Sequence, residues 1–173
     1  MTRARFLGGI RDIAAADWNA LAGRDYPFLR HEFLCALEDS GSVGGDSGWE
    51  PHHLLLHEGS RLVGALPCYL KQHSYGEYVF DWSWADAYRR HGQHYYPKLL
   101  SAVPFTPAAG PRLLLAEGVA FADLENELLA TVGEEMARRG ASSWHLLFPE
   151  QPVAEELAVA GLGHRTGVQF HWH

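Results

Sequence analysis

Apolar residues recur along this chain at two spacings, every three to four positions and in short runs, and their alternation predicts a mixed order of helices and strands. Phe121, Leu124, Leu128, Val132 and Met136 share one helical face and Gly140 follows them, which predicts a long helix from Phe121 to Arg139. His31 to Asp39 reads the same way, with Phe33, Leu34 and Leu37 on one stripe and Ser40-Gly41 as the stop. Asp12 to Leu21 is a third helical stretch, through Ile13, Trp18 and Leu21. Arg3 to Ile10 predicts a first strand. His52 to His57 is a run of leucines bracketed by histidines; the turn Glu58-Gly59-Ser60 follows, and Arg61 to Leu70 continues as a strand, so the pair predicts a hairpin. Pro67 inside the second strand predicts a bulge or an edge, because proline has no N–H for the ladder.

Beyond the hairpin, Tyr75, Tyr78, Phe80 and Trp82 favour extended backbone, and Tyr75 to Trp82 predicts a third antiparallel strand. A short helix is expected over Trp84 to Gln93, a strand over Lys98 to Phe105, and a Pro/Gly loop over Thr106 to Pro111 leading into Leu113-Leu114-Leu115. Ser143 to Phe148 predicts a buried strand of the parallel type, Pro149 to Ala160 a helix opened by proline and closed by Gly161, and Gly163 to Thr166 and Val168 to His173 two final strands. Ser40 to Gly48, with its four glycines and three serines, predicts a mobile loop. The whole order predicts one α/β domain over residues 1–173, with a mixed, partly antiparallel central sheet flanked by helices.

Composition narrows the function. With 47% hydrophobic and 20% charged residues, the chain predicts a core that needs no disulfide or structural metal. A formal net charge of −7, with Lys71 and Lys98 as the sole lysines, argues against DNA or RNA as partner, since phosphate backbones call for clustered basic side chains. No segment has the length and apolarity of a membrane span, and the first ten residues lack a signal sequence, so a cytoplasmic protein is expected. Cys35 and Cys68, without CxxC spacing, read as two small hydrophobes. Eleven histidines raise the question of a metal, but His52-His53 point to opposite faces of a strand, His91 and His94 lack a third ligand, and His171 and His173 sit at the chain end; no metal is expected.

Asp81, Trp82, Trp84, Asp86 and Tyr88 are the group singled out for ligand contact. Carboxylates among large aromatics lose hydration, which raises a carboxyl pKa and suits a general base or an amine anchor. The same residues also read as an aromatic cluster whose aspartates cap the following helix.

The hairpin from His53 through Glu58-Gly59 to Val63-Gly64, with the helix-glycine-strand order from Ala154 to Gly163 onward, resembles the GNAT acyltransferase superfamily. A narrower match lies in Phe80-Asp81-Trp82-Ser83-Trp84-Ala85-Asp86-Ala87-Tyr88, Tyr95-Tyr96-Pro97-Lys98 and Pro104 to Arg112, which are similar to bacterial proteins related to the Fem aminoacyltransferases of peptidoglycan synthesis. Those relatives look about twice as long, so the resemblance implies the N-terminal half of a two-domain protein, with a C-terminal half as partner and self-association through the docking face.

The resemblance further implies acyl or aminoacyl transfer from a thioester or aminoacyl donor to a small-molecule or peptide amine. Acetyl-CoA or another acyl-CoA would be the donor, met by a splayed sheet with a main-chain N–H aimed at the thioester oxygen. In this reading Asp81 and Tyr88 are catalytic, Trp82, Trp84, Asp86, Tyr95 and Tyr96 bind the acceptor, and Phe105, Thr106, Gly110 and Arg112 bind the donor. Two departures stand out: the usual pyrophosphate loop before the long helix is absent, with Thr106 to Arg112 and Ala116-Glu117-Gly118 as the nearest substitutes, and Pro149 to Ala160 contains no tyrosine to protonate a thiolate. They open an alternative, a non-catalytic acceptor-binding or scaffolding half.

Overall fold

A computed structural model describes residues 2–168. Its strands are β1 (Thr2–Leu7), β2 (Trp49–Pro51), β3 (His53–Glu58), β4 (Arg61–Leu66), β5 (Tyr69–Lys71), β6 (Lys98–Ser101), β7 (Leu114–Leu115) and β8 (Trp144–Leu146). Its α-helices are α1 (Ala15–Ala22), α2 (His31–Asp39), α3 (Trp82–Arg90), α4 (Phe121–Arg139) and α5 (Gln151–Val159). The fold is the mixed α/β arrangement the sequence predicts.

The centre is one long, bent hairpin. β3 pairs antiparallel with β4, with Leu54 opposite Leu66, and β2 pairs antiparallel with β5, with Pro51 opposite Tyr69. Pro67 stands at the bend between β4 and β5, where a missing N–H is harmless, so the strand expected over Arg61 to Leu70 divides into two and passes from one four-stranded sheet, β1-β3-β4-β7, to another, β2-β5-β6-β8. His52 N donates to Cys68 O at 2.8 Å and Cys68 N donates to His53 Nδ1 at 3.2 Å, which fastens the two bends together.

β6 and β7 then follow one another along the same strand, β6 against β5 and β7 against β4. Between them residues 102–113 leave the ladder. β8 pairs in parallel with β6, Leu99 opposite Trp144, and makes no ladder with β7. The sheet therefore forks after Ser101. The fork is not open: Gly110 bridges Pro149, and Gly110 N donates to Phe148 O at 3.2 Å.

Helix α4 lays Phe121, Leu124, Leu128 and Val132 against Leu54, Leu56, Val63 and Leu99, the largest of three apolar clusters. Gly140 ends it in the left-handed conformation, φ +64°. Gly64 lies beneath Leu124, so close that a Cβ would reach within 3.1 Å of it; the Val-Gly of the hairpin is thus a packing contact as well. On the other face Trp18, Leu29, Leu34 and Ile10 pack against Leu55 and Ala65.

Several expectations are corrected. Tyr75 to Trp82 is not a strand: its aromatic rings point outward and its backbone turns, with Tyr78 at φ +58° and Gly76 at φ +80°. Helix α3 starts at Trp82 instead of Trp84, and the strand from Lys98 ends at Ser101, where the fork begins. β2 lay unrecognised beside the glycine loop, in which Val43 is buried. Gly163 to Thr166 has no regular structure, because that stretch is exposed and meets no ladder. Of the strand expected over Val168 to His173, Val168 is exposed and has no regular structure, and the rest, with His171 and His173, falls outside the described residues.

Candidate functional site

Lys71 and Lys98 stand directly opposite each other in the β5–β6 ladder, and neither has exposed surface. Directly opposed residues of an antiparallel pair point to one face of the sheet, so two ammonium groups share a buried space, an arrangement that is destabilising without counter-charges. The segment 72–81 supplies them. Lys98 Nζ donates to Asp81 Oδ2 at 2.5 Å, Glu77 Oε2 at 2.8 Å and Ser74 Oγ at 3.0 Å, which exhausts its three N–H bonds. Tyr95 donates to Asp81 Oδ2 at 2.7 Å, and the Ser74 and Tyr96 hydroxyls are 2.6 Å apart. Lys71 Nζ sits 3.7 Å from the centre of a Trp49 ring and donates to Tyr75 O at 3.2 Å.

The set is incomplete. Glu77 Oε1 and Asp81 Oδ1 are buried and accept no hydrogen bond from the described residues. Among those residues no carboxylate lies within 4 Å of Lys71 Nζ, in contrast to Lys98. Burial, and secondarily the charge of Lys98, lowers the Lys71 pKa to about 7. Burial likewise raises Glu77 against the pull of Lys98. Burial would raise Asp81 too, but hydrogen bonds from Lys98, Ser74 and Tyr95 outweigh it and hold the carboxyl below its usual range. Burial and the bond to Asp81 push Tyr95 up, while burial and Lys98 bring His145 down to about 4. The group at neutral pH thus holds charged Asp81, neutral tyrosines and a neutral imidazole.

Over this cluster lies an aromatic surface. Tyr75, Tyr78, Phe80, Trp82 and Trp84 are exposed, within one stretch of ten residues, and account for five of the eight large hydrophobic side chains that are exposed among the described residues. Tyr75 and Phe80 both contact Trp82, with ring centres 6.3 and 5.8 Å apart. Phe105 joins the rim, packed on Trp49 with φ +57°; a Cβ on Gly76 would come within 2.6 Å of its ring. Two surface cavities, one beside Arg5, Asp17 and His57 and one beside Gly8, Glu38 and Gly45, lie elsewhere and include none of these residues. The candidate site is marked instead by its buried charges and exposed rings.

The structure brings together Asp81, Tyr95, Tyr96 and Tyr88, whose ring lies 5.2 Å from that of Tyr95. Asp86 is turned away, to Arg89 and Arg90. The residues assigned to a donor lie apart from this group, except Phe105. Thr106 Oγ1 donates to Pro104 O at 3.0 Å, and Gly110 is pressed against Tyr26. Arg112 is wholly buried, with Nε on Leu147 O at 2.8 Å, Nη2 on Ala108 O at 2.5 Å and Nη1 on Pro111 O at 3.0 Å. Sequence reasoning missed Lys71, Lys98, Glu77 and Ser74; the available signal was that the two lysines adjoin the apolar runs Tyr69-Leu70 and Leu99-Leu100.

Before α4, Gly118 adopts φ +80°, and Asp123 closes the first turn: its carboxylate accepts Ala120 N–H at 2.9 Å and its own N–H donates to Ala120 O at 3.1 Å. The helix N-terminus is therefore already answered by a negative charge. Among the described residues no group of three or more His, Cys, Asp and Glu side chains gathers as a metal site, and no helix is long and apolar enough to cross a membrane.

A sequence model of the FemAB-like family, described as peptidoglycan biosynthesis/recognition, matches residues 9–173, and the chain belongs to that family. The solved structures it resembles are GNAT acetyltransferases. A ribosomal-protein-alanine N-acetyltransferase from Brucella melitensis biovar Abortus 2308 is similar over 100% of this chain and 98% of that one, at 12% identity and a TM-score of 0.55. The aminoglycoside N-acetyltransferase AAC(6')-Iy in complex with CoA is similar over 100% and 95%, at 11% identity and a TM-score of 0.60. A GCN5-related N-acetyltransferase from Ralstonia eutropha JMP134 is similar over 99% of each chain, at 14% identity and a TM-score of 0.53. At these identities the likeness establishes the fold alone. No curated protein matches the sequence.

Proposed function

We propose that this chain is the acceptor-recognising domain of a Fem-type N-acyltransferase, with a peptidoglycan fragment as the acceptor class and the acyl or aminoacyl donor held by a second domain. The observation that supports this reading is that the residues the resemblance would give to a donor are engaged within the chain itself. Gly110 and Arg112 take up Phe148 O and Leu147 O where the sheet forks, and Asp123 occupies the helix N-terminus that would meet a pyrophosphate. A carboxylate at that end opposes an anionic ligand. The aromatic surface of Tyr75, Phe80, Trp82 and Trp84 favours the acceptor role, because flat apolar rings stack on sugar faces and cover peptide backbone at little entropy cost.

The second reading, an acetyltransferase active by itself with acetyl-CoA, draws support from the CoA complex of a similar fold. Calorimetry separates the two. Titration with acetyl-CoA and with free CoA is expected to give no saturable heat, whereas purified muropeptides are expected to quench tryptophan fluorescence in the native chain and not in Trp82→Ala. Saturable CoA binding, or muropeptide quenching indifferent to Trp82, would overturn the reading.

A further inference from the structure

We propose that Lys71 and Lys98 form a covered binding site for a phosphoryl group, and that residues 72–81 are a lid whose Glu77 and Asp81 carboxylates stand in for that anion in the closed form. Both lysines of the chain lie at one ladder position on one face, without exposed surface. Their being buried together has no packing rationale, because an aliphatic pair would fill the same strands without the cost of burying two amino groups.

What compensates them comes from outside the sheet and fits poorly. Both carboxylates belong to one segment without regular structure, and each leaves an oxygen with no partner. Lys98 is saturated while Lys71 has a single carbonyl and the face of Trp49. A half-satisfied buried network is weak for its size, so the lid is held less firmly than the number of its ion pairs suggests. The lid turns its rings to solvent and its charges inward, and holds the non-glycine residue Tyr78 at φ +58°. Strain of this kind concentrates at switching segments.

A phosphoryl group matches what the lid leaves unmet. It carries up to two negative charges and enough oxygens to take both ammonium groups at once, together with the Ser74, Tyr95 and Tyr96 hydroxyls that already point at the cluster. Lysines serve as point-charge phosphate ligands without needing the planar fork that arginine offers a carboxylate. The lid carries Tyr75 and Phe80 of the aromatic surface proposed above for the acceptor, and the lysine site beneath it is tested without either substrate.

The full chain is titrated with inorganic phosphate while amide hydrogen exchange is followed by peptide, with glycerol 3-phosphate and succinate as parallel arms. Phosphate is expected to bind saturably and to speed exchange across residues 72–81 while β5 and β6 stay protected. Glu77→Gln, which removes a competing charge at equal size, is expected to bind phosphate about tenfold more tightly, and Lys71→Met to bind at least tenfold more weakly. Response to both phosphate and the monoester supports the site, the stronger of the two telling free from esterified ligand. Absence of binding, an unchanged lid, unaltered affinity in Glu77→Gln or succinate as good as phosphate each refute it. The native chain and Glu77→Gln decide the matter even if Lys71→Met does not fold.

Discussion

His52 Nε2 lies 2.5 Å from Glu135 Oε1, so the bend of the central hairpin is tied to the last turns of α4 by one buried polar contact. Phe6 stacks on the imidazole at 4.5 Å, and Arg138 and Arg139 complete the carboxylate. Burial alone would raise the Glu135 pKa, but the hydrogen bonds from the arginines and His52 lower it to about 2. A carboxyl depressed in the native state adds stability that is present above its unfolded pKa and is lost as pH falls towards the folded value. His52 is lowered as well, chiefly by burial, and so resists protonation in the folded state. Both groups act in the same direction. Stability should fall on acidification, first as unfolded His52 begins to charge below about 6.5 and then between about 4.5 and 2 as Glu135 is protonated. Glu135→Gln should remove the lower limb of that loss, and urea midpoints measured from pH 7 to pH 2.5 check it.

Arg112 gives a second prediction. Its guanidinium is spent on backbone carbonyls of 108, 111 and 147, and so fastens the excursion between β6 and β7 to the end of β8. Removing a buried donor group leaves several carbonyls unsatisfied, each worth about 1–3 kcal/mol. Arg112→Ala should destabilise by about 3 kcal/mol or more, and Arg112→Lys should recover little, because one ammonium cannot span the same fork of acceptors. Equilibrium urea unfolding provides the measurement; full recovery by lysine would show that charge, and not geometry, holds the excursion.

How far the sequence could be read depends on where each element finds its partners. Helix α4 was legible from Phe121, Leu124, Leu128 and Val132 because all four meet one continuous apolar surface and a glycine stops them. The hairpin was legible for the same reason, through Leu54, Leu56 and Val63. Tyr75 to Phe80 misled because β-favouring aromatics fit a half-buried sheet, and here they cover buried charges instead with their rings in solvent. Asp81 was found as a candidate through its aromatic neighbours, but its partner Lys98 lies 17 residues away and its competitor Glu77 has no periodicity to betray it. Long-range charge pairing leaves no trace in local spacing. The fork after Ser101 was hidden likewise, since nothing in Ala102 to Leu113 states that Gly110 will pair with Phe148.

The close approach of Gly76 to Phe105 supplies the last prediction. Gly76 holds φ +80°, and a Cβ there would come within 2.6 Å of the Phe105 ring and 3.2 Å of Trp49 Nε1. Gly76→Ala therefore meets two separate penalties, a backbone conformation unfavourable by about 1–2 kcal/mol for an L side chain and a steric clash. The two can be separated by the double substitution. Phe105→Ala removes the ring and should relieve the clash but not the backbone term, so Gly76→Ala should be less damaging in a Phe105→Ala background than in the native one by about 1 kcal/mol or more. A double-mutant cycle read from thermal unfolding tests this. Strict additivity would mean that the ring moves aside freely and that the lid and the β6–β7 excursion are uncoupled at this contact.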